Sequence, residues 1–245
     1  MSEPALEVGG VSKSYGSLVV LNGVSLAVGD GEAVGVVGPN GAGKTTLLDL
    51  LTGTARCDAG HIRLLGADVT RLPPPLRARK GLGRSFQVPR PLGAMTVFEN
   101  ALVGASRAAR LRGQHAYDAA YAALVMTDMT RLANQQASSL RLLDRKRLEL
   151  ARALAARPRV LLLDEISLGL APKVVGELYR TLGSLRESGA TLVLVEQDLR
   201  RALSACDTVV CLLEGRVALA AAASVGRDEV VAAYFGNRQE RDETA

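Results

Sequence analysis

One glycine-rich stretch constrains the fold of this chain more than any other feature. Residues 38–45 read Gly-Pro-Asn-Gly-Ala-Gly-Lys-Thr, which satisfies the pattern GxxxxGK[ST]. The stretch follows an apolar run, Ala33 to Val37, which is typical of a strand buried on both faces. A predicted helix begins at about Lys44 and is ended by Gly53. This strand–loop–helix context predicts a site for a nucleoside triphosphate.

The residue types of this loop have predicted roles. Backbone N–H groups of such a loop, together with the N-terminus of the following helix, cradle phosphate oxygens. We expect Lys44 to reach the β- and γ-phosphates and the Thr45 hydroxyl to bind Mg²⁺. The predicted nucleotide-binding residues here are Gly38, Pro39, Asn40, Gly41, Ala42, Gly43, Lys44, Thr45 and Thr46.

A second motif follows about 120 residues later. The apolar run Leu161 to Leu163 ends in Asp164, which matches the Walker B pattern whose carboxylate holds Mg²⁺. Glu165 comes next, where a general base could activate water. An apolar run that ends in two acids is a weak signal alone, but it gains weight beside a phosphate loop. The sequence contains no NKxD guanine-reading motif, which favours adenine.

Composition places the chain among ordinary globular proteins. The apolar share is 48% and the charged share 22%, which argues against disorder or a fibrous repeat. No window approaches the roughly 18 apolar residues that a membrane-spanning helix needs. The three cysteines have no CxxC spacing, and no signal peptide is visible at the N-terminus. These features predict a reducing, cytoplasmic location.

Charge is distributed unevenly along the chain. The net charge is +5, but residues 71–159 carry a local balance of +12 and the remainder a balance of −7. A strongly basic middle segment fits anionic phosphates or lipid headgroups, and it also suits nucleic acid. An ATPase that acts on nucleic acid or ribosomes is therefore one alternative.

The order of predicted elements suggests an α/β protein with a helical insertion. Short strands are predicted near the N-terminus around an Asn22-Gly23 turn, and the three prolines at 73–75 predict a surface connection without regular structure. Thr96 and Glu99 form a predicted capping box that opens a helical stretch. Strand patterns resume at Val160, and a last short helix is expected at 228–235.

Taken together, the motifs resemble the ATP-binding subunits of ABC transporters, over roughly residues 5–236. The resemblance implies that Tyr15 stacks on adenine and that Gln87, in Gly83-Arg84-Ser85-Phe86-Gln87, contacts the Mg²⁺ region. It also implies that Gly169-Leu170-Ala171-Pro172 crosses the interface of a dimer. Several stretches look like one or the other ATPase of the importers for branched-chain amino acids, so the chain is a mosaic of the two.

Two positions depart from that family's pattern. The switch histidine aligns with Gln197, whose neutral amide can still hydrogen-bond the γ-phosphate. The signature motif Leu-Ser-x-Gly-Gln aligns with residues 140–144, where Arg141 replaces the serine and Leu143 the glycine. Arg141 could contact phosphate through charge-assisted hydrogen bonds, whereas Leu143 adds bulk where backbone must approach closely. A hydrolysis-impaired subunit is therefore a further alternative.

The resemblance implies a P-loop NTPase with a RecA-like core, an antiparallel β region and an α-helical insertion at about 88–157. Residues 1–236 are expected to form a single ABC ATPase domain, and the polar tail 237–245 to be disordered. The implied cofactors are ATP and Mg²⁺. The implied partners are a second ATPase subunit, transmembrane permease subunits and, indirectly, a periplasmic binding protein. Nucleic acid is not expected, and the predicted location is the cytoplasmic face of the membrane.

Overall fold

The computed structural model of the chain describes residues 3–85 and 88–223. The predicted C-terminal helix, the tail and Gln87 lie outside these residues. The described strands are β1 (Leu6–Tyr15), β2 (Leu18–Val28), β3 (Ala33–Val37), β4 (Ala59–Leu64), β5 (Ala67–Asp68), β6 (Leu82–Arg84), β7 (Val160–Asp164), β8 (Thr191–Glu196), β9 (Thr208–Leu213) and β10 (Arg216–Ala222). The α-helices are α1 (Lys44–Thr52), α2 (Pro74–Arg79), α3 (Val97–Val103), α4 (Gln114–Met126), α5 (Leu142–Ala155), α6 (Pro172–Glu187) and α7 (Leu199–Ala205).

The chain divides into two compact units, and the first comprises residues 3–73 and 191–223 of the described chain. An antiparallel sheet there has the order β2-β1-β4-β5. A second set of strands has β3 at its centre, parallel to both β8 and β9, with β10 antiparallel to β9. All five residues of β3 are buried, as expected of a strand inside a parallel sheet.

The predicted Asn22-Gly23 turn is wrong. Residues 18–28 form one continuous strand, β2, which pairs with β1 along its length, and the chain reverses earlier, between Tyr15 and Leu18. Gly23 has a positive φ of 66°, and its N–H donates to the Ser12 hydroxyl at 2.9 Å. An Asn-Gly pair favours positive φ, and here that backbone conformation serves a strand irregularity instead of a reversal.

The second unit comprises residues 74–190 and is mostly helical. Helices α3, α4 and α5 enclose an apolar core rich in alanine, in which Ala101 and Ala120 lie with the larger Leu124 and Leu148. Strands β6 and β7 run parallel in this unit. The predicted capping box is confirmed: the Glu99 N–H donates to the Thr96 hydroxyl, and the Thr96 N–H donates to the Glu99 carboxylate.

The expectation that residues 73–75 exclude regular structure is wrong in part. The three prolines are exposed, as expected, but helix α2 begins at Pro74. The first turn of a helix has N–H groups without intrahelical partners, so proline costs no hydrogen bond there. Within residues 3–85 and 88–223, none of the helices is both long enough and apolar enough to cross a membrane. The domain limits 1–236 and 88–157 stay predictions.

Candidate nucleotide-binding site

The glycine-rich loop lies where the sequence pattern requires, between the C-terminal end of β3 and the start of α1. The Ala42 N–H donates to the Pro39 carbonyl at 3.2 Å, and the Leu47 N–H donates to the Gly43 carbonyl at 2.8 Å. The loop thus closes on itself and passes directly into the helix. Its remaining N–H groups lie at or just before the N-terminus of α1, a position that favours an anion.

The three glycines of the loop differ in what a side chain would meet at their positions. A Cβ on Gly38 would overlap the carbonyl oxygen of Leu212, and one on Gly43 would lie 2.6 Å from Leu21 Cδ2. Gly43 also has a φ of 101°, which side-chain-bearing residues rarely adopt. Gly41 has a φ of 84°, but a Cβ there would meet only open space among the described residues. The packing of strands around the loop therefore excludes larger residues at two positions.

Lys44 points into the loop. Its side chain is buried, and its Nζ donates to the carbonyls of Gly38 at 2.6 Å and Pro39 at 3.0 Å. A buried ammonium needs such partners, because an unpaired charge away from water is costly. The arrangement holds one positive charge within the loop. Thr45 is exposed and Thr46 half-buried in the first turn of α1, which contains no acidic residue.

Gln197 lies at the same edge as this loop. Strands β3 and β8 are parallel neighbours in a register that pairs Val37 with Glu196, so Gly38 and Gln197 each follow the last residue of a paired strand. Gln197 is exposed, and the Asp198 side chain after it caps α7 by accepting from the Arg200 and Arg201 N–H groups. This cap holds the backbone beside Gln197 in place.

The hairpin turn between β9 and β10 supports the loop from another direction. The Gly215 N–H donates to the Ala42 carbonyl at 3.2 Å, and the Asn22 N–H donates to the Gly215 carbonyl at 2.8 Å. Gly215 thereby connects β2 to the phosphate loop through its own peptide groups. Gly215 was not among the predicted site residues, because a hairpin glycine alone carries no signal that a second loop approaches it.

Tyr15 ends strand β1 with 51% of its surface exposed, so its ring is accessible to a ligand. The Lys13 Nζ lies 5.2 Å from the centre of the Tyr15 ring, which is within the range of a cation–π contact. This ring belongs to the same compact unit as the phosphate loop and Gln197. Adenine stacking by Tyr15 stays a prediction.

The second unit contains the acidic pair. Asp164 is the last residue of β7, and both Asp164 and Glu165 are buried. Arg84, at the end of the parallel neighbour β6, donates from its guanidinium to Asp164 Oδ2 at 2.9 Å, and little of either side chain is exposed. This ion pair orients the carboxylate that the motif assigns to Mg²⁺. Arg84 was not among the predicted site residues, and its contact with Asp164 is found only in the structure.

Glu165 has an unusual backbone. Its φ is 41°, the left-handed region that non-glycine residues seldom occupy, and its carbonyl accepts from the Leu168 N–H at 3.0 Å. Left-handed residues concentrate at functional sites, where the surrounding structure maintains the strain. The turn carries the chain from β7 toward Gly169, whose φ is 78°. The backbone of Glu165 therefore makes a tight turn directly after the buried strand.

The signature segment is ordered as a helix start. Arg141 is the N-cap residue of α5, and Leu142 and Leu143 are its first helical residues. Leu140 is buried, Leu143 half-buried and Leu142 exposed. An arginine side chain has no hydrogen-bond acceptor, so Arg141 cannot cap the N–H groups of its helix as a serine would. Gln87, the remaining predicted site residue, lies outside the described residues.

Comparison with known proteins gives one consistent result. The family model described as ABC transporter matches residues 21–167. The chain is 37% identical, over 96% of its length and 99% of the other's, to the high-affinity branched-chain amino acid transport ATP-binding protein BraF of Pseudomonas aeruginosa. A nucleotide-free ATP-binding cassette of an ABC transporter superposes with a TM-score of 0.85 at 26% identity, covering 94% of this chain and 96% of that one.

A second solved structure adds a nucleotide and a dimer. It is the dimeric post-hydrolysis state of an ATP-binding cassette bound to ADP and phosphate, with a TM-score of 0.78 at 25% identity. It covers 89% of this chain and 98% of its own. These neighbours confirm the predicted fold class, an α/β P-loop NTPase. The match over most of its length, together with the phosphate loop and the acidic pair, shows that this chain belongs to the ABC transporter family of ATPases.

Proposed function

We propose that this protein binds and hydrolyses ATP to drive uptake of branched-chain or other hydrophobic amino acids through separate membrane subunits. The observation that carries the proposal is the phosphate loop, in which the Gly38 and Pro39 carbonyls hold the buried Lys44 ammonium at the start of α1. The choice of cargo rests on the similarity to BraF, which spans nearly the whole of both chains.

Phosphate binding exchanges partners around Lys44. The ammonium donates to two loop carbonyls in the structure, and the β- and γ-phosphate oxygens would take their place as stronger, charged acceptors. The N–H groups at the start of α1 add the positive end of a helix dipole. The residues from Gly38 to Thr46 would then hold the triphosphate, and Tyr15 would hold the base.

Magnesium fits the oxygen donors that the motifs provide. Asp164 is a buried carboxylate oriented by Arg84, and Thr45 is an exposed hydroxyl. Among residues 3–85 and 88–223, no cluster of three His, Cys, Asp or Glu side chains could hold a metal without help. Mg²⁺ commonly binds one or two protein oxygens plus substrate phosphates, so Thr45, Asp164 and the predicted Gln87 are sufficient partners. The ion would neutralise phosphate charge during hydrolysis.

Hydrolysis needs a base for the attacking water. We assign that role to Glu165, whose carboxylate would accept the proton as water attacks the γ-phosphorus. Its left-handed backbone sets the direction in which the side chain leaves the turn after β7. Gln197 would donate from its amide to a γ-phosphate oxygen, but it cannot become cationic. Turnover therefore depends on Glu165 for proton transfer and on Gln197 for positioning.

The proposed function requires a second ATPase subunit and membrane subunits as partners. A second ATPase subunit, identical or different, would pair with this chain head to tail, each contributing a signature segment to the other's nucleotide. Arg141 and Leu143 make this chain's contribution weak, so we favour a different subunit with an intact signature. Permease subunits would contact the surface around residues 87–95, with a periplasmic binding protein acting upstream. This assembly places the chain on the cytoplasmic face of the membrane.

The test is the variant Glu165→Gln. We expect ATP affinity to be retained, turnover to fall by about 100-fold or more, and a closed dimer to accumulate with ATP. The control is Glu187→Gln, which makes the same change at the exposed end of α6 and should leave turnover unaltered. In a strain that lacks the gene, uptake of labelled leucine should be restored by the wild-type protein and not by Glu165→Gln. Unchanged turnover in Glu165→Gln would refute the base, and leucine uptake without the gene would refute the cargo.

A further inference from the structure

The exposed end of β1 is hydrogen-bonded to one acidic residue, Asp58. Asp58 Oδ1 accepts from the Lys13 ammonium at 2.8 Å, and Asp58 Oδ2 accepts from the Ser14 N–H at 2.7 Å. The Asp58 N–H in turn donates to the Ser12 carbonyl at 2.8 Å. Three consecutive residues of β1, directly before Tyr15, are thus bound to one residue that precedes β4.

The Asp58 hydrogen bonds lie where the regular pairing between β1 and β4 ends. Strand β1 pairs with β4 only as far as Ser12, which lies opposite Ala59. On its other edge the pairing with β2 is irregular on both sides of Lys13. Bulged strand ends are re-aimed locally, because the regular hydrogen-bond pattern no longer sets the direction of each side chain. Asp58 supplies the missing acceptor for the Ser14 N–H and so fixes the backbone directly before Tyr15, the last residue of β1.

Lys13 extends the contact to the Tyr15 ring. Its ammonium is held by Asp58 and lies 5.2 Å from the ring centre. Only 16% of the Lys13 side chain is exposed, so the long stem is packed and not free in solvent. The hydrogen bond with Lys13, followed by that with Ser14, lowers the pKa of Asp58. The hydrogen bond with Asp58 in turn raises the pKa of Lys13. Both groups therefore stay charged well beyond the neutral range.

We propose that Asp58 and Lys13 are positioning residues that hold the Tyr15 ring ready for the base of the bound nucleotide. The inference rests on the proposed function, since it takes Tyr15 to be the adenine-stacking residue. An exposed tyrosine loses rotational freedom when a base stacks on it, and a ring that is already held loses less. The Asp58–Lys13 pair thus contributes to affinity for the nucleoside part and not for the phosphates.

The test separates the base from the phosphates. Affinities for ATP and for inorganic tripolyphosphate, both with Mg²⁺, are measured by calorimetry on the full chain. Tyr15→Ala should weaken ATP about tenfold, as expected for the loss of one base-stacking ring. Asp58→Ala should weaken ATP about fivefold, through lost preorganisation. Neither variant should change tripolyphosphate affinity, because the phosphate loop is intact in both.

Two further variants complete the design. Lys13→Met leaves the Ser14–Asp58 hydrogen bond in place and should weaken ATP about threefold through the lost cation–π contact; it answers the question even if Asp58→Ala folds poorly. Asp68→Ala is the matched control. Asp68 lies in the same sheet and likewise accepts from a nearby backbone N–H, that of Thr70 at 2.8 Å, but it has no contact with the end of β1. It should leave both ligands unaffected.

A spectroscopic readout is available because the chain contains no tryptophan. Tyr15→Trp introduces a single tryptophan at the proposed stacking position. ATP should quench its emission and tripolyphosphate should not. In the ligand-free protein, adding Asp58→Ala should lower the fluorescence anisotropy, since the ring is then less constrained, whereas adding Asp68→Ala should not change it.

The possible failures are distinguishable. If the wild-type protein binds neither ATP nor tripolyphosphate, the proposed function itself fails. If Tyr15→Ala weakens ATP but Asp58→Ala and Lys13→Met do not, the positioning role is overturned and the ATPase remains. Equal weakening of both ligands by Asp58→Ala would mean that Asp58 only stabilises the fold, and this too overturns the inference. An ATP affinity unchanged by Tyr15→Ala overturns it as well, because the ring would then have no base to hold.

Discussion

The phosphate loop and the signature segment both precede a helix, yet they tolerate sequence change very differently. In the loop, Gly38 and Gly43 are required by this chain's own packing, since a Cβ at either would overlap a neighbouring strand. In the signature segment, Leu143 occupies ordinary helical backbone at the start of α5. A glycine is therefore dispensable to the fold at that position. The phosphate loop is therefore constrained by packing within the chain, whereas the fold places no such constraint on residue 143 of the signature segment.

The largest effect should come from the loop. Gly43→Ala places a methyl group against Leu21 and the Val20 carbonyl and also strains a φ of 101°. Overpacking and strain each cost about 1–3 kcal/mol, so we expect a loss of about 3 kcal/mol in unfolding free energy. The control is Gly41→Ala, which strains φ alone and should cost about 1 kcal/mol. Urea unfolding without nucleotide measures both. Equal losses of unfolding free energy in the two variants would show that steric packing does not restrict the residue at position 43.

Restoring the signature should change activity more than stability. Arg141→Ser with Leu143→Gly supplies an N-cap acceptor and removes bulk, so hydrolysis by the protein alone should rise about tenfold from a weak basal rate. The added cap, about 1 kcal/mol, roughly offsets the cost of glycine in a helix.

Its matched control is Arg141→Ser with Leu142→Gly, which makes the same changes with the glycine moved to the adjacent exposed leucine. That control should leave turnover at the basal level. Turnover that is already vigorous in the wild-type protein alone, or that rises equally in both double variants, would contradict the view that Leu143 limits the partner's site.

The smallest effect concerns helix capping, which also differs between regions. Helix α3 has a complete capping box, whereas the N-cap residue of α5, Arg141, has no hydrogen-bond acceptor in its side chain. The hydrogen bond from the Thr96 N–H, then that with the Thr96 side chain, lowers the pKa of Glu99. Its contribution to stability is therefore present above the ordinary carboxyl pKa, about 4.3, and is lost as pH falls through the lower folded value.

The variant Glu99→Gln should flatten that part of the acid unfolding curve, since the amide can still accept the hydrogen bond but does not titrate. Glu187→Gln is the control, because that exposed residue is outside the capping box. Unfolding midpoints between about pH 5 and pH 2 give the measurement. A curve for Glu99→Gln that matches the wild-type curve would show that the capping box does not contribute.

Local chemistry could be predicted from the sequence with good fidelity. The Thr96–Glu99 capping box and the strand–loop–helix around Lys44 were both expected, and both depend on residues close together in the chain. Turn chemistry was less reliable. Asn22-Gly23 predicted a chain reversal. Pairing of β2 with β1 along its length stabilises the strand by more than the preference of one Asn-Gly pair for a turn. The prolines at 73–75 predicted an irregular stretch, but a helix start tolerates them.

Long-range contacts were not accessible to the same reasoning. Arg84 and Asp164 are 80 positions apart, and Lys13 and Asp58 are 45 apart. Neither pair belongs to a spacing rule, because each contact exists only where two strands or a strand and a loop are brought together. Gly215 is a similar case, since its contacts with Ala42 and Asn22 follow from the placement of a hairpin.

The order of residues is enough to identify a loop that suits phosphate, an acidic pair at the end of an apolar strand, and a signature segment without its serine and glycine. These are properties of residue types at short spacing, where local geometry follows from the order of residues. The residues that support these motifs are visible only in the folded chain, namely Arg84 at Asp164, Gly215 at the loop and Asp58 at the end of β1. Hydrogen bonds and ion pairs act over about 3 Å in space, irrespective of separation along the chain, so spacing rules do not reveal them.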